Sequence, residues 1–413
     1  MVSPTRNVRV CGRLQPVIRK AEYSYGLVVS RIVGFALVAL LLSGCSLSAA
    51  SGPPWVEMHP RIHPLRHGVG FLTAYDAATL QVVLYGGGTN AAPGTQTWTW
   101  NGTDWTGLHP TVHPPRRWKI ESAMAYDEQT KKIVLVVPLV TVGNFPHRYR
   151  VIVQHMRSGK ARTAFLEQLY AEARTWIWNG TSWTELHPFA SPLASFGASM
   201  AYDAATGDVV FAGRSGDSFE TWTWNGVTWI QQHPTKSPSA RMMFAMVYDP
   251  QVREVLLFGG TRDVYSGAPV FGDTWAWNGT GWAKLHPSVS PPARYLASMA
   301  YDPQIRKLVL FGGTSMTGAT SGALQVFGDT WAWNGATWIR LHPSVSPPPR
   351  SGASMAYDVA TKSLVLFGGY GPYHSLSDTW TLRIGTGSPR HVGRGSRASG
   401  PATSSYAKLA RLR

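Results

Sequence analysis

Residues 274–287 read TWAWNGTGWAKLHP, three tryptophans within eight positions around an Asn-Gly pair. Near-copies begin at Thr97 (TWTWNGTDWTGLHP), Thr175 (TWIWNGTSWTELHP), Thr221 (TWTWNGVTWIQQHP) and Thr330 (TWAWNGATWIRLHP). Six Tyr-Asp pairs, at Tyr75, Tyr126, Tyr202, Tyr248, Tyr301 and Tyr357, mark the units to which these copies belong. A unit of about fifty residues repeated in this way is one supersecondary element that buries its apolar faces only by stacking on its neighbours. The 413 residues therefore need not divide into two or three independent domains.

Each unit breaks into four short runs, seen most clearly in the fifth: YLASMAYD, RKLVLFGG, DTWAWNG and ATWIRLHP. Rich in β-branched and aromatic residues and separated by turn formers, they read as four antiparallel strands, A to D. Asp, often with Pro, turns the chain between A and B, and Asn-Gly is a strong hairpin signal between C and D. Strand B is apolar on consecutive positions, as expected of a strand buried on both faces. If Asn278-Gly279 is a two-residue turn, Trp275 faces Trp282; a four-residue loop changes the partner but not the parity. Either way Trp275, Trp277 and Trp282 share one face of the sheet. Seventeen of the 18 tryptophans occupy such repeat positions, Trp118 being the exception, which favours a core role over a ligand platform.

The pieces also specify closure. The first five units end in a Trp-x-x-x-His-Pro strand from Trp105, Trp183, Trp229, Trp282 and Trp338, but the sixth stops after DTWTLRIG. One spare copy, WVEMHP from Trp55, precedes the first unit. A ring in which the N-terminal strand completes the last blade uses every piece once and leaves no open end. The expected fold is all-β: a six-bladed β-propeller over residues 55–386, its second blade irregular and interrupted by an insertion at about 139–175.

Outside this region the composition changes. Residues 1–44 carry six Lys or Arg against one acid and residues 387–413 six against none, leaving 26 basic and 21 acidic residues between them. The body is only mildly basic despite a formal charge of +16, so the charge gives no case for nucleic-acid binding. Residues 387–413, rich in Gly, Ser and Arg, read as a basic disordered tail. The two cysteines, Cys11 and Cys45, both precede the repeats, so the propeller has neither disulfide nor thiolate metal site. Before Cys45 runs RIVGFALVALLLSGC, a basic residue, an apolar stretch too short for a comfortable membrane span, then Leu42-Ser43-Gly44-Cys45. This resembles the bacterial lipobox. The resemblance implies a lipoprotein signal peptide over 1–44, lipid on Cys45, a short linker over 45–54 and export to the cell envelope. Residues 1–27 are long for the leading part of such a signal, which places a candidate start near Val28.

Gly-Gly after an apolar strand, then Asp-Thr-Trp and a later Trp, resembles the kelch repeat of galactose-oxidase-type propellers. Gly-Gly stands at Gly87, Gly259, Gly312 and Gly368; the third unit has Ala212-Gly213 and the second Val137-Pro138, which departs from the pattern. The resemblance implies that strand A is innermost, lining the channel.

Candidate sites follow from loop lengths. The A–B and C–D turns are uniform and share one face; on the other, the span from Tyr-Asp to the C-strand Trp is 23, 50, 20, 27, 30 and 23 residues. Variable loops on a rigid scaffold are where binding usually sits. Within the longest, residues 159–174 read as an amphipathic helix, a lid or a tolerated insertion. Seven residues before each Tyr stand Gly68, Lys119, Ser195, Arg241, Arg294 and Arg350. Lys119, Arg241, Arg294 and Arg350 are therefore candidate ligand-binding residues at the channel mouth, suited to carboxylate, sulfate or phosphate. Kelch propellers that bind acidic peptides place arginines comparably. The alternative is that these side chains pack under the Pro-rich linkers and bond loop carbonyls. His59, His109, His187, His233, His286 and His342, one per blade at the outermost strand, are too dispersed to share a metal ion, and no cofactor is expected. The copper-radical chemistry of the wider family needs a Tyr crosslinked to Cys, which nothing after Cys45 can supply. SGDSFETW at 215–222 lacks the Gly of a sialidase box. Sugar-acid mutarotase or epimerase chemistry would need a carboxylate and basic groups, for which Glu121 and Arg241 are candidates. The expected function is a monomeric, lipid-anchored, non-catalytic module binding a protein or glycan ligand, anionic in character, at the cell surface.

Overall fold

The computed structural model describes residues 52–64, 71–86, 97–114, 122–138, 173–192, 197–263, 269–317 and 323–384. The expected signal segment, Cys45, residues 159–172 of the expected helix and the basic tail lie outside them, while Ala173 and Arg174, expected to end that helix, begin the C strand of blade 2. Every regular element among the described residues is a strand, and six four-stranded antiparallel sheets form the blades of a six-bladed β-propeller. Blade 4 is representative: A is Ala245–Asp249, B is Glu254–Phe258, C is Thr274–Trp277 and D is Trp282–Leu285. The A strands touch one another around the ring, the first meeting the sixth, so A is innermost. The second blade pairs its four strands as the others do, its B and C strands running in register out to Pro138 opposite Ala173. Blade 5 adds a small hairpin, Thr314–Thr317 with Ala323–Val326.

The ring closes as the strand count requires. Trp55–Met58 pairs antiparallel with Ser375–Leu382, completing a sheet whose other members are Ser363–Tyr370 and Ser354–Asp358. This non-consecutive strand gives the last blade the short outer strand that the other five have.

Local chemistry sets each turn. Between A and B, the buried Asp249 carboxylate accepts the Gln251 amide at 2.9 Å, and Arg253 takes a left-handed φ of 58°. Between C and D, Asn278 Oδ1 accepts the amides of Thr280 and Gly281, and Gly279 has φ 94°. The loop is thus four residues long, and Trp277, not Trp275, faces Trp282, their ring centroids 5.5 Å apart. Parity is kept. Gly279 is needed for space as well as for φ, since a Cβ there would stand 2.8 Å from the Thr206 methyl of blade 3.

All three rings of blade 4 face blade 3. Trp277 and Trp282, with Trp275 at the margin, pack on Ala201, Val210 and Ala212. The opposite face of blade 4 presents Ala245, Leu256 and Phe258 to the tryptophans of blade 5. Each D-strand indole also donates Nε1–H to the first C-strand threonine of the preceding blade. The pairs are Trp105 to Thr379, Trp183 to Thr97, Trp229 to Thr175 and Trp282 to Thr221 at 2.9 Å, Trp338 to Thr274 at 3.0 Å, and Trp55 to Thr330 at 3.2 Å. Six blades make six bonds, and the circle has no gap.

The last seam is looser. Leu382 stands where the other blades carry the second C-strand tryptophan, and a cavity of about 130 Å³ opens among Gly52, Ile305, Thr330, Leu382 and Ile384.

Thr221→Val should leave the buried Trp282 N–H without an acceptor and cost about 1–3 kcal/mol in denaturant unfolding. Adding Trp282→Phe should then cost less than it does alone, giving a favourable coupling in the double-mutant cycle. Additive effects would mean that the bond contributes nothing to the seam.

Candidate functional site

Arg241, Arg294 and Arg350 lead into the A strands of blades 4, 5 and 6, and each side chain is no more than 1% exposed. Arg294 grips Asp329 with two parallel bonds, Nη1 to Oδ1 at 2.6 Å and Nη2 to Oδ2 at 3.0 Å. Its Nη1 also donates to the Gly312 carbonyl and its Nε to the Pro292 carbonyl, while the Phe327 ring lies 3.9 Å from the guanidinium carbon. Arg241 holds Asp273, and Arg350 holds Asp378, in the same way. The carboxylates in turn accept the N–H of Trp275, Trp331 and Trp380.

These arginines are therefore not a free cationic ring at the channel mouth. Their charge is balanced and their donors are directed at carboxylates and loop carbonyls, which corrects the expectation that they face a ligand. The three Asp partners were missed, although a signal for them existed: Asp-Thr-Trp occurs only in the units that also carry Arg. Lys119, the fourth candidate, lies outside the described residues, as does Glu121. Arg241, the basic partner considered for mutarotase chemistry, is held by Asp273.

The main chain around each arginine ties two blades. The Arg294 carbonyl accepts the Gly260 amide of blade 4 at 2.9 Å, and a Cβ on Gly259 would stand 2.4 Å from that oxygen. Gly-Gly is thus needed where the next blade's arginine segment crosses. Further in, Met243 N donates to Gly197 O, Leu296 N to Met243 O and Gly352 N to Leu296 O, at 2.7–2.8 Å. All four residues have left-handed φ between 55° and 71°, forming a backbone collar at the lead-in to the A strands. Met243 and Leu296 hold a conformation that side-chain-bearing residues adopt rarely.

Among the described residues the clamp is made in blades 4 to 6. At the Arg and Asp register positions the sequence reads Gly68 with Gln96, Lys119 with Arg174, and Ser195 with Glu220 in blades 1 to 3. Glu220 still accepts the Trp222 N–H at 3.0 Å. Arg174 bonds Glu185 at 2.7 Å, the reverse of Asp273 beside Lys284.

The loop face also holds surface features of its own. The B–C hairpin of blade 6 carries Tyr370 and Tyr373, 41% and 89% exposed, and the small hairpin of blade 5 exposes Leu324. Beside the blade 6 hairpin, a cleft of about 370 Å³ lies between the end of the closing strand and its partner, lined by Glu57, His59, His63, His374, Ser377 and Leu376 among others. Among the described residues no group of His, Cys, Asp or Glu is placed to hold a metal ion.

Among solved structures the chain is similar to that of YjhT, with a TM-score of 0.52 and 14% identity over 79% of this chain and 96% of that one. At that identity the likeness speaks for the propeller fold alone. No family model matches the chain, nor does any curated protein.

Burial alone would raise the carboxyl pKa of Asp273, Asp329 and Asp378, but the arginine bonds and charge, with the indole N–H, outweigh it and hold all three below the usual aspartate range. A carboxyl depressed on folding stabilises above its unfolded pKa of about 3.9, and that contribution is lost as pH falls through the folded value. Asp203, Asp249 and Asp302 in the A–B turns are raised by burial and act in the opposite sense. Asp329→Ala should thus cost about 3–5 kcal/mol at neutral pH by leaving Arg294 buried and unpaired. The gap from wild type should begin to narrow below about pH 4, where the unfolded carboxyl takes up its proton, and go on narrowing until the native one protonates at its lower value. A gap independent of pH would show that the ion pair is not the source of the loss.

Proposed function

We propose that this protein is a recognition module of the cell envelope, held at a membrane by a lipid on Cys45, which binds a glycan or protein ligand without transforming it. The observation that carries this reading is the contrast between its two faces. Asp- and Asn-capped turns of nearly constant length close one face. On the other, the spans between the A-strand Tyr and the C-strand Trp, 20 to 50 residues, vary from blade to blade, and that face carries the exposed Tyr370 and Tyr373 and the cleft beside them. A rigid ring with one variable face suits recognition. The lipid and the basic residues 387–413 would supply two weak attachments, the number that stable anchoring needs.

A thermal-shift screen of the full chain against neutral sugars, acidic sugars and acidic peptides tests the reading. A ligand at 100 times its Kd should stabilise by about 2.7 kcal/mol. Tyr373→Ala should weaken the response, whereas Thr280→Ala on the turn face should not. Conversion of a bound sugar, followed by NMR, would replace recognition with catalysis.

A further inference from the structure

The first C-strand tryptophan has a constant environment in four blades. Trp222, Trp275, Trp331 and Trp380 each donate their indole N–H to the carboxylate two residues earlier, Glu220, Asp273, Asp329 or Asp378, at 2.7–3.0 Å. Trp176 holds the same position in blade 2, opposite Glu185 on the D strand as Trp275 is opposite Lys284. It is 5% exposed, and its Nε1 is buried with no hydrogen-bond partner. The residue two positions earlier is Arg174. The second C-strand tryptophans, such as Trp178 and Trp277, are also unpartnered, but there the vacancy recurs from blade to blade and belongs to the stacked pair. At the Trp176 position it does not.

A buried donor without an acceptor is costly, and here its neighbour is a cation. Arg174 spends one bond, Nη1 to Glu185 Oε1 at 2.7 Å, and its side chain is 43% exposed. Among the described residues its guanidinium makes no other bond, and the fork can donate to a second carboxylate beside the first. The slot that a carboxylate two residues earlier fills in blades 3 to 6 thus has Arg174 at that position in blade 2, on the same strand face as the unpartnered Trp176.

We propose that this slot binds the carboxylate of a ligand, a hexuronate or a similar small organic acid, one oxygen accepting from Trp176 Nε1 and the other from Arg174. The inference rests on the recognition reading and gives it a ligand class and a place. Selectivity follows from the donors: a neutral sugar offers no anion to the guanidinium, and an acid stripped of its charge should not bind.

The test is ¹⁵N–¹H NMR of the indole resonances of the full chain, assigned by Trp-to-Phe substitution and titrated with glucuronate, glucose and sodium chloride. Glucuronate should move the Trp176 signal saturably, with glucose and chloride inert and the Trp275 and Trp331 signals still. Arg174→Gln should weaken glucuronate at least about tenfold. The double change Arg174→Asp with Glu185→Lys copies blade 4; it should abolish the response and fix the Trp176 signal near those of Trp275 and Trp331. A Trp176 signal that ignores glucuronate, or that moves equally with chloride, overturns the site. So does a signal moved only by Glu167→Gln or Glu172→Gln, which would show that the chain supplies its own carboxylate. An acid that stabilises the protein while leaving Trp176 unmoved overturns this slot but leaves the recognition reading standing.

Discussion

The structure depends on one bond made six times, the indole N–H of each outermost strand given to a threonine in the blade before it. A sheet of four short strands has two apolar faces and cannot stand alone in water. Tryptophan supplies the area that binds blade to blade, and its single donor must find an acceptor once buried. Placing that acceptor on the neighbouring blade fixes the angle between sheets. The bond therefore specifies a ring as well as a core. Closure by Trp55 is the point where covalent continuity ends, and there the bond is longest, a leucine replaces a tryptophan and a cavity remains.

Upon this uniform frame lies an uneven outer layer. Blades 4 to 6 lock their lead-in segments with buried Arg–Asp pairs, which tie the loop face to the core and leave little charge for outside partners. Buried pairs of this kind do more to hold one geometry than to add stability, because desolvation offsets much of their attraction. In blades 1 to 3 the sequence has no Arg and Asp at those two positions. The loop face thus divides into a fixed half and a half whose chemistry departs from the rule, with the inverted charges of Arg174 and Glu185 at its centre.

Most of the ring was legible in the sequence because repetition turns weak signals into strong ones. A single Asn-Gly or Trp-x-Trp says little, but five copies with matching spacings set strand number, closure and the shared face of the indoles. The hairpin partner was not fixed, since a two- and a four-residue loop keep the same parity; the capping Asn278 carboxamide decides for the longer one. The arginines were found by position but not by role. Their fate turns on a carboxylate 28 to 35 residues away, a separation that only the folded blade makes short. Trp176 was invisible for a related reason: it looks like every other copy until its counterparts are seen to have partners.

The most direct test is native-state hydrogen exchange of the closing strand. If the ring is one cooperative unit joined through Trp55, the bonded amides of Trp55–Met58 should exchange only with global unfolding, at the same free energy as those of Glu254–Phe258 in the middle of blade 4. Exchange of the closing strand at a much lower free energy, with the other blades still protected, would contradict it and show that the propeller stands without its closure.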